Sequence, residues 1–342
     1  MQLEHLTSRR QFLRISACIA AGTGALRALG AEAPTAAEPH QATAAEPHGP
    51  TAAEPPTLLV AVRDAHLRDT SKKSCWEALQ SVGAEGVEVE VKDDLSLPGM
   101  PHPERGYSIA DDAGIERVAA DAKAAGVRIA AFCLHNSFDQ RPEFELDWVV
   151  KASRAAKALG TPVLRLDFWP RKLSGDEFLE FAVDMGKKLV EKTEDSGVSF
   201  GVENHGEVTN QPEFLDKLLG GVGSKRFGLT LDTGNFYWFG HTLSSLYEIY
   251  QTLAPRVHHT HMKSIKYPEV SREKRRARGW EYAKYNCPIY EGDIDFAKVI
   301  AILKKAGYKN ALCIEDESLG KVQNGERGAI LRKEVEFLKK LR

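Results

Sequence analysis

From residue 58 onward, short apolar, β-branched runs alternate with longer amphipathic stretches, and the alternation repeats eight times. Runs at 58–64, 86–91, 128–135, 162–169, 199–203, 226–232, 257–263 and 310–315 read as strands. The stretches 74–83, 109–126, 143–160, 174–197, 244–253 and 293–307 read as helices. Another helix is opened at 210–213, and a last one ends the chain. The helix signals are specific. Gly126 sits where a helix stops. Ser174 with Glu177, and Asn210 with Glu213, have the spacing of capping boxes. On the fourth helix Phe178, Phe181, Ala182, Met185 and Leu189 share one face. Strand and helix in strict alternation mean a parallel sheet. The residues from 57 to 342 suit one closed (β/α)8 TIM barrel, which typically needs about 250. A doubly wound open sheet is the architectural rival, and no glycine-rich dinucleotide loop follows the first strand to support it.

The first 56 residues have a different character. Thr7-Ser8-Arg9-Arg10-Gln11-Phe12-Leu13-Arg14 precedes a weakly apolar run, and Ala31-Glu32-Ala33 is a cleavage candidate. This order is similar to a twin-arginine export signal, expected over 1–33. Thr-Ala-Ala-Glu-Pro then recurs at Thr35, Thr43 and Thr51. Such a repeat cannot build a core, and its prolines favour extended backbone, so 34–56 reads as a linker. The expected location is the periplasm or beyond, reached through the twin-arginine machinery, which carries folded proteins with a cofactor already loaded.

Composition narrows the function classes. The net charge of −2 over 342 residues lacks the basic excess of a nucleic-acid binder. No apolar run reaches the roughly 18 residues of a membrane span. Five cysteines, none in a CxxC pair, argue for neither a disulfide scaffold nor a thiolate zinc site.

Four polar residues end the last four apolar runs: Glu203, Asp232, His261 and Glu315. The first two gaps are 29 residues each, one strand–helix unit, and the third is 54 because a long segment, 264–292, intervenes. Strand C-terminal ends of a barrel converge on one mouth. Three carboxylates and one imidazole are mostly hard donors, suited to one divalent ion, Mn²⁺ first, with Mg²⁺ or Co²⁺ as alternatives. Further residues near that mouth are His135, Arg165, Trp169, His205, Asn235 and Lys263, expected to touch substrate. The segment 264–292 carries five arginines and lysines between Arg272 and Arg278, then Trp280, Tyr282 and Tyr285. It reads as a lid over a carbohydrate or as a subunit contact in a homo-oligomer.

The elements Glu203-Asn204-His205-Gly206, Leu231-Asp232-Thr233-Gly234-Asn235 and His261-Met262-Lys263-Ser264 resemble the xylose-isomerase-like TIM barrels. So do Pro288 to Asp295, Gly307-Tyr308 and Ile314-Glu315. That family includes sugar epimerases, hydroxypyruvate isomerase, inosose dehydratase and endonuclease IV. The resemblance implies that Glu203, Asp232, His261 and Glu315 bind one divalent metal. It also implies that Glu203 and Glu315 are the catalytic acid/base pair of a sugar isomerase or epimerase working through an enediolate. A lyase or dehydratase on a 3-keto sugar, keto-glycoside or inosose shares those first steps. A non-catalytic carbohydrate-binding barrel with a structural metal is the reading from another class. Two positions depart from the family. Asn235 stands where a histidine is usual, and Thr209 where ketohexose epimerases carry a glutamate. The extra ligands of endonuclease IV are missing after strands two and seven, which points away from DNA repair.

Overall fold

The computed structural model describes residues 57–342; the expected export signal and linker lie outside them. Eight strands form the barrel: β1 Val60–Arg63, β2 Gly86–Glu90, β3 Arg128–Leu134, β4 Val163–Leu166, β5 Ser199–Glu203, β6 Phe227–Asp232, β7 Val257–Met262 and β8 Leu312–Ile314. Each pairs in parallel with its neighbours, and β8 pairs with β1 to close the ring. Among the described residues no helix is long and apolar enough to cross a membrane.

The two faces of the barrel wall differ in chemistry. Val60, Val62, Val87, Val89, Leu164 and Leu166 are buried in the apolar layer between strands and helices. Burial of such side chains stabilises by about 1.5–3 kcal/mol each. The inward face carries small residues, Ala61, Cys133, Gly201 and Cys313, beside buried Glu88, Arg165, His259 and His261. A barrel interior is ordinarily filled by branched apolar side chains. Here the small residues leave the room that the charged ones occupy. A Cβ on Gly201 would come 2.3 Å from Thr230 Oγ1, so only glycine lets β5 and β6 keep this spacing.

Register sets which side chains share the mouth. Arg63 is level with Glu88, Cys133 with Arg165, Glu203 with Thr230, and Asp232 with His261. The β2–β3 register shifts between Val87 and Glu88. Such an irregularity re-aims side chains locally.

Helix boundaries follow the stop signals. Gly83, Gly126, Gly160 and Gly223 close their helices in the left-handed region, where glycine carries no Cβ penalty. The capping boxes are a correction. The helix Gly175–Lys192 starts at Ser174 without a side-chain cap bond. The helix Pro212–Val222 has Gln211 at its N-cap, again without one. Pro212 presets the first turn there. Asn210 instead donates to the Gly206 carbonyl and accepts from Asn204. The expected strand 162–169 ends at Leu166, and a short helix, Asn235–Phe239, follows β6.

The segment 264–292 is ordered structure. Ser264–Ile265 pairs antiparallel with Asn286–Cys287 at its base, and helical turns occupy Glu269–Arg272 and Tyr282–Tyr285. Trp280 and Tyr285 pack on Tyr267, each with centroids 5.6 Å away, and the Arg276 guanidinium lies over Tyr237 and Tyr267. These rings hold the loop together. Cys75, Cys133, Cys287 and Cys313 are free thiols, and all but Cys287 are buried.

Candidate metal centre

Glu203 closes β5, Asp232 closes β6, His261 lies one residue before the end of β7, and Glu315 follows β8. The structure brings one donor atom from each within 4.8 Å of the others, all in buried residues. Each residue uses its other polar atom as an anchor. Glu203 Oε2 accepts from the Arg165 guanidinium, with Nε at 2.5 Å. Asp232 Oδ1 accepts from the Gly234 and Asn235 amides at 2.7 and 2.8 Å. Glu315 Oε1 accepts from Arg63 Nη1 at 2.5 Å. His261 Nε2 faces Glu88 Oε1 and Oε2 at 3.0 and 2.9 Å.

What remains is one inward donor per residue. His261 Nδ1 stands 3.2 Å from Glu203 Oε1 and 3.3 Å from Glu315 Oε2. Asp232 Oδ2 and Glu315 Oε2 are buried without an aligned hydrogen bond, although the Lys263 ammonium approaches them to 2.9 and 2.7 Å. Buried carboxylate oxygens need a cation or donors. Three oxygens and one imidazole nitrogen, each held from behind, fit a hard or borderline divalent ion.

Among the described residues, two other groupings of potential ligands share members of this set, Glu88 with His259 and His261, and Asp167 with Glu203 and His205. In each an arginine already pairs with a carboxylate. Arg63 Nε lies 3.1 Å from Glu88, and Arg165 Nη1 lies 2.9 Å from Asp167.

The electrostatics follow from burial and partners. Burial pushes Asp232 up to about 7; Lys263 pulls against the rise, and Glu315 and Glu203 add to it. Burial also opposes ionisation of Glu203, but Arg165 and His261 hold it well below the usual carboxylate range. Glu315 is held down in the same way, against burial, by Lys263, His261 and Arg63. Burial would neutralise His261, yet Glu88, Glu315 and Glu203 raise it.

The residues expected to touch substrate divide into three groups. Arg165 is 1% exposed and committed to Glu203 and Asp167, so it holds the site from beneath instead of lining it. Its position on β4, level with Cys133, faces the barrel axis, and the two carboxylates keep it there. Asn235 Nδ2 donates to Glu203 Oε1 at 3.2 Å, and Lys263 bridges Asp232, Glu315 and Glu317. His135 and His205 are open, with side chains 45% and 36% exposed. Buried Asp167 joins them, 3.1 Å from His135 Nδ1 and 3.2 Å from His205 Nδ1. Trp169 packs edge-on against His205, and Arg171 covers its ring at 4.7 Å.

Three residues that the sequence pattern did not single out complete the site: Glu88, Arg63 and Asp167. Glu88 had a readable signal, an acid between two valines of a strand. A carboxylate behind a metal-binding histidine fixes its tautomer and ring orientation. In the neutral ring, an Nε2 proton donated to Glu88 would leave the Nδ1 lone pair for a metal on the side of Glu203 and Glu315. Glu88→Gln is expected to lower divalent-metal affinity by roughly 10–100-fold while leaving the barrel folded. Calorimetric titration with Mn²⁺, alongside circular dichroism, checks both parts.

A closed parallel barrel with a buried acidic and imidazole cluster at the C-terminal ends of its strands defines the class. The chain belongs to the xylose isomerase-like TIM barrel family, whose model matches residues 76–341. An uncharacterised protein of Methanocaldococcus jannaschii is 25% identical over 173 residues, 49% of this chain and 51% of that protein. The chain thus spans about half the length of the curated relative it matches. Among solved structures, the IOLI protein with a bound zinc atom aligns at TM-score 0.63 and 17% identity, covering 83% of this chain and 99% of that one. A xylose isomerase-like TIM barrel protein from Mycobacterium smegmatis in complex with magnesium aligns at 0.61 and 14%, covering 83% and 98%. Mannonate dehydratase from Streptococcus suis aligns at 0.60 and 12%, covering 84% and 93%. At these identities the likeness speaks for the fold.

Proposed function

We propose that this protein is a divalent-metal-dependent isomerase or epimerase of sugars, exported through the twin-arginine pathway to the periplasm. The observation that carries the reading is the donor set: one ligand atom each from Glu203, Asp232, His261 and Glu315 lies within 4.8 Å of the others. Mn²⁺ suits these donors best, with Mg²⁺ or Co²⁺ as alternatives. The zinc and magnesium bound by structural relatives agree with a divalent ion. Such an ion, once bound, polarises a substrate carbonyl and acidifies the neighbouring C–H. Glu203 and Glu315, on two strands with β6 and β7 between them, are the acid/base pair that removes and returns the proton. Asn235 steadies Glu203, and Lys263 supplies a positive charge for a developing oxyanion. His135 and His205 offer polar contacts to hydroxyls. An exported enzyme meets free sugars, keto-sugars or oxidised glycosides more readily than sugar phosphates.

One observation favours a second reading, a lyase or dehydratase on a keto-glycoside or inosose. Glu203 and Glu315 are each committed to an arginine, whereas His135 and His205 are open imidazoles oriented by Asp167. The hydrogen bond to Asp167 raises His135 to about 10 and leaves the base's role to His205, which with the Lys263 ammonium as acid suits β-elimination.

Incubating Mn²⁺-loaded protein with a panel of sugars and keto-glycosides in D₂O tests both readings. Deuterium at a carbon next to a carbonyl, with an isomer or epimer formed, supports the first. An unsaturated product supports the second. Metal binding without exchange on any substrate would leave a carbohydrate-binding barrel with a structural metal.

The long loop yields a separate expectation. Replacing 266–285 by a short glycine-rich turn should leave the barrel folded and metal-loaded and abolish turnover. Unchanged turnover with an altered oligomeric state by light scattering would assign the loop to assembly.

A further inference from the structure

Lys263 follows β7 and is only 5% exposed, a rare position for an ammonium group. Its backbone is clamped: its amide donates to Thr233 Oγ1, and the same hydroxyl donates to its carbonyl at 2.7 Å. Its stem lies across Gly234, where a Cβ would come 2.8 Å from Lys263 Cγ. The chain therefore delivers Nζ to one place. There it meets Asp232 Oδ2 at 2.9 Å, Glu315 Oε2 at 2.7 Å and Glu317 Oε1 at 2.8 Å. The first two oxygens are inward donors of the metal cluster. Glu317 is not one of them. Its other oxygen, Oε2, accepts from the Tyr282 hydroxyl at 2.7 Å, and Tyr282 belongs to the 264–292 loop.

We infer that Lys263 is a tethered cation in competition with the metal for Asp232 and Glu315, and that metal loading turns its ammonium toward Glu317 and so is felt by the loop through Tyr282. The inference rests on reading the cluster as a metal site. A divalent ion sharing two oxygens with an ammonium group repels it across a few ångströms of low-dielectric interior. Glu317 is the partner that remains. The loop's hydrogen bond to Glu317 then strengthens or weakens with occupancy, a coupling between two places in one molecule.

The test uses metal-free full-length protein, titrated calorimetrically with Mn²⁺, and amide hydrogen exchange over 280–287 with and without Mn²⁺. Lys263→Met should bind Mn²⁺ at least about tenfold more tightly, because a competing charge is gone. Lys263→Gln, which keeps a donor toward Asp232, should show the same sign if the methionine variant fails to fold. Glu317→Gln should weaken binding in the wild-type background and have little effect in the Lys263→Met background, a non-additive pair. Loop exchange should respond to Mn²⁺ in the wild type and lose that response in Lys263→Met. Equal or weaker binding by both lysine variants, or a loop response that survives them, overturns the inference. Failure of the wild type to bind Mn²⁺ overturns the metal reading itself.

Discussion

Asp232→Asn should yield a folded barrel that no longer retains a divalent ion. The turn after β6 survives the change, because asparagine keeps an oxygen for the Gly234 and Asn235 amides. The inward atom becomes an amide nitrogen whose hydrogens point where the cation belongs, and it also faces the Lys263 ammonium. One carboxylate of three is lost, and a donor replaces it. Affinity for Mn²⁺ should fall by more than the roughly 10–100-fold expected for a residue behind the ligands. Metal content after dialysis, with circular dichroism as the control for folding, measures the effect. Full metal content at unchanged affinity would remove Asp232 from the ligand set.

Arg165→Met should cost the barrel about 3–5 kcal/mol, the usual penalty for breaking a buried ion pair by removing one partner. Arg165 lies between Glu203 and Asp167, both buried, and also donates to the Leu134 carbonyl at 3.2 Å. Methionine fills part of the volume and takes from two buried carboxylates the guanidinium they share. The melting temperature should drop by roughly 5–8 °C in a chain of this size. The loss should shrink when Mn²⁺ is present, because a ligand that binds only the folded state stabilises it and here compensates Glu203. An unchanged melting temperature would mean that Glu203 and Asp167 are neutral in the folded protein.

The barrel was legible because its signals are local. Every strand lies within an apolar run, and Gly83, Gly126 and Gly160 stop helices where the pattern broke. The four inward donors were legible for a related reason. Each ends an apolar run, and parallel strands carry such positions to one rim. The residues behind them were not legible, since their roles depend on register between strands distant in sequence. Glu88 reaches His261 across 173 positions, and Arg63 reaches Glu315 across 252. The shift between Val87 and Glu88 has no mark of its own in the residue pattern. Arg165 was visible on its strand, but whether it faced substrate or the carboxylates beneath depended on Asp167 and Glu203 arriving beside it. The capping box at Asn210 failed for a local reason. Pro212 already presets its helix, and Asn210 is drawn into bonds with Asn204 and Gly206.

One divalent ion is expected between four side chains, from β5, β6 and β7 and from the residue after β8. Anomalous diffraction from crystals of the Mn²⁺-loaded protein, collected at the manganese edge, tests it most directly. The expected result is a single peak within about 2.0–2.4 Å of Glu203 Oε1, Asp232 Oδ2, His261 Nδ1 and Glu315 Oε2. A peak at Glu88 and His259, at Asp167 and His205, or none within reach of Asp232 would contradict it.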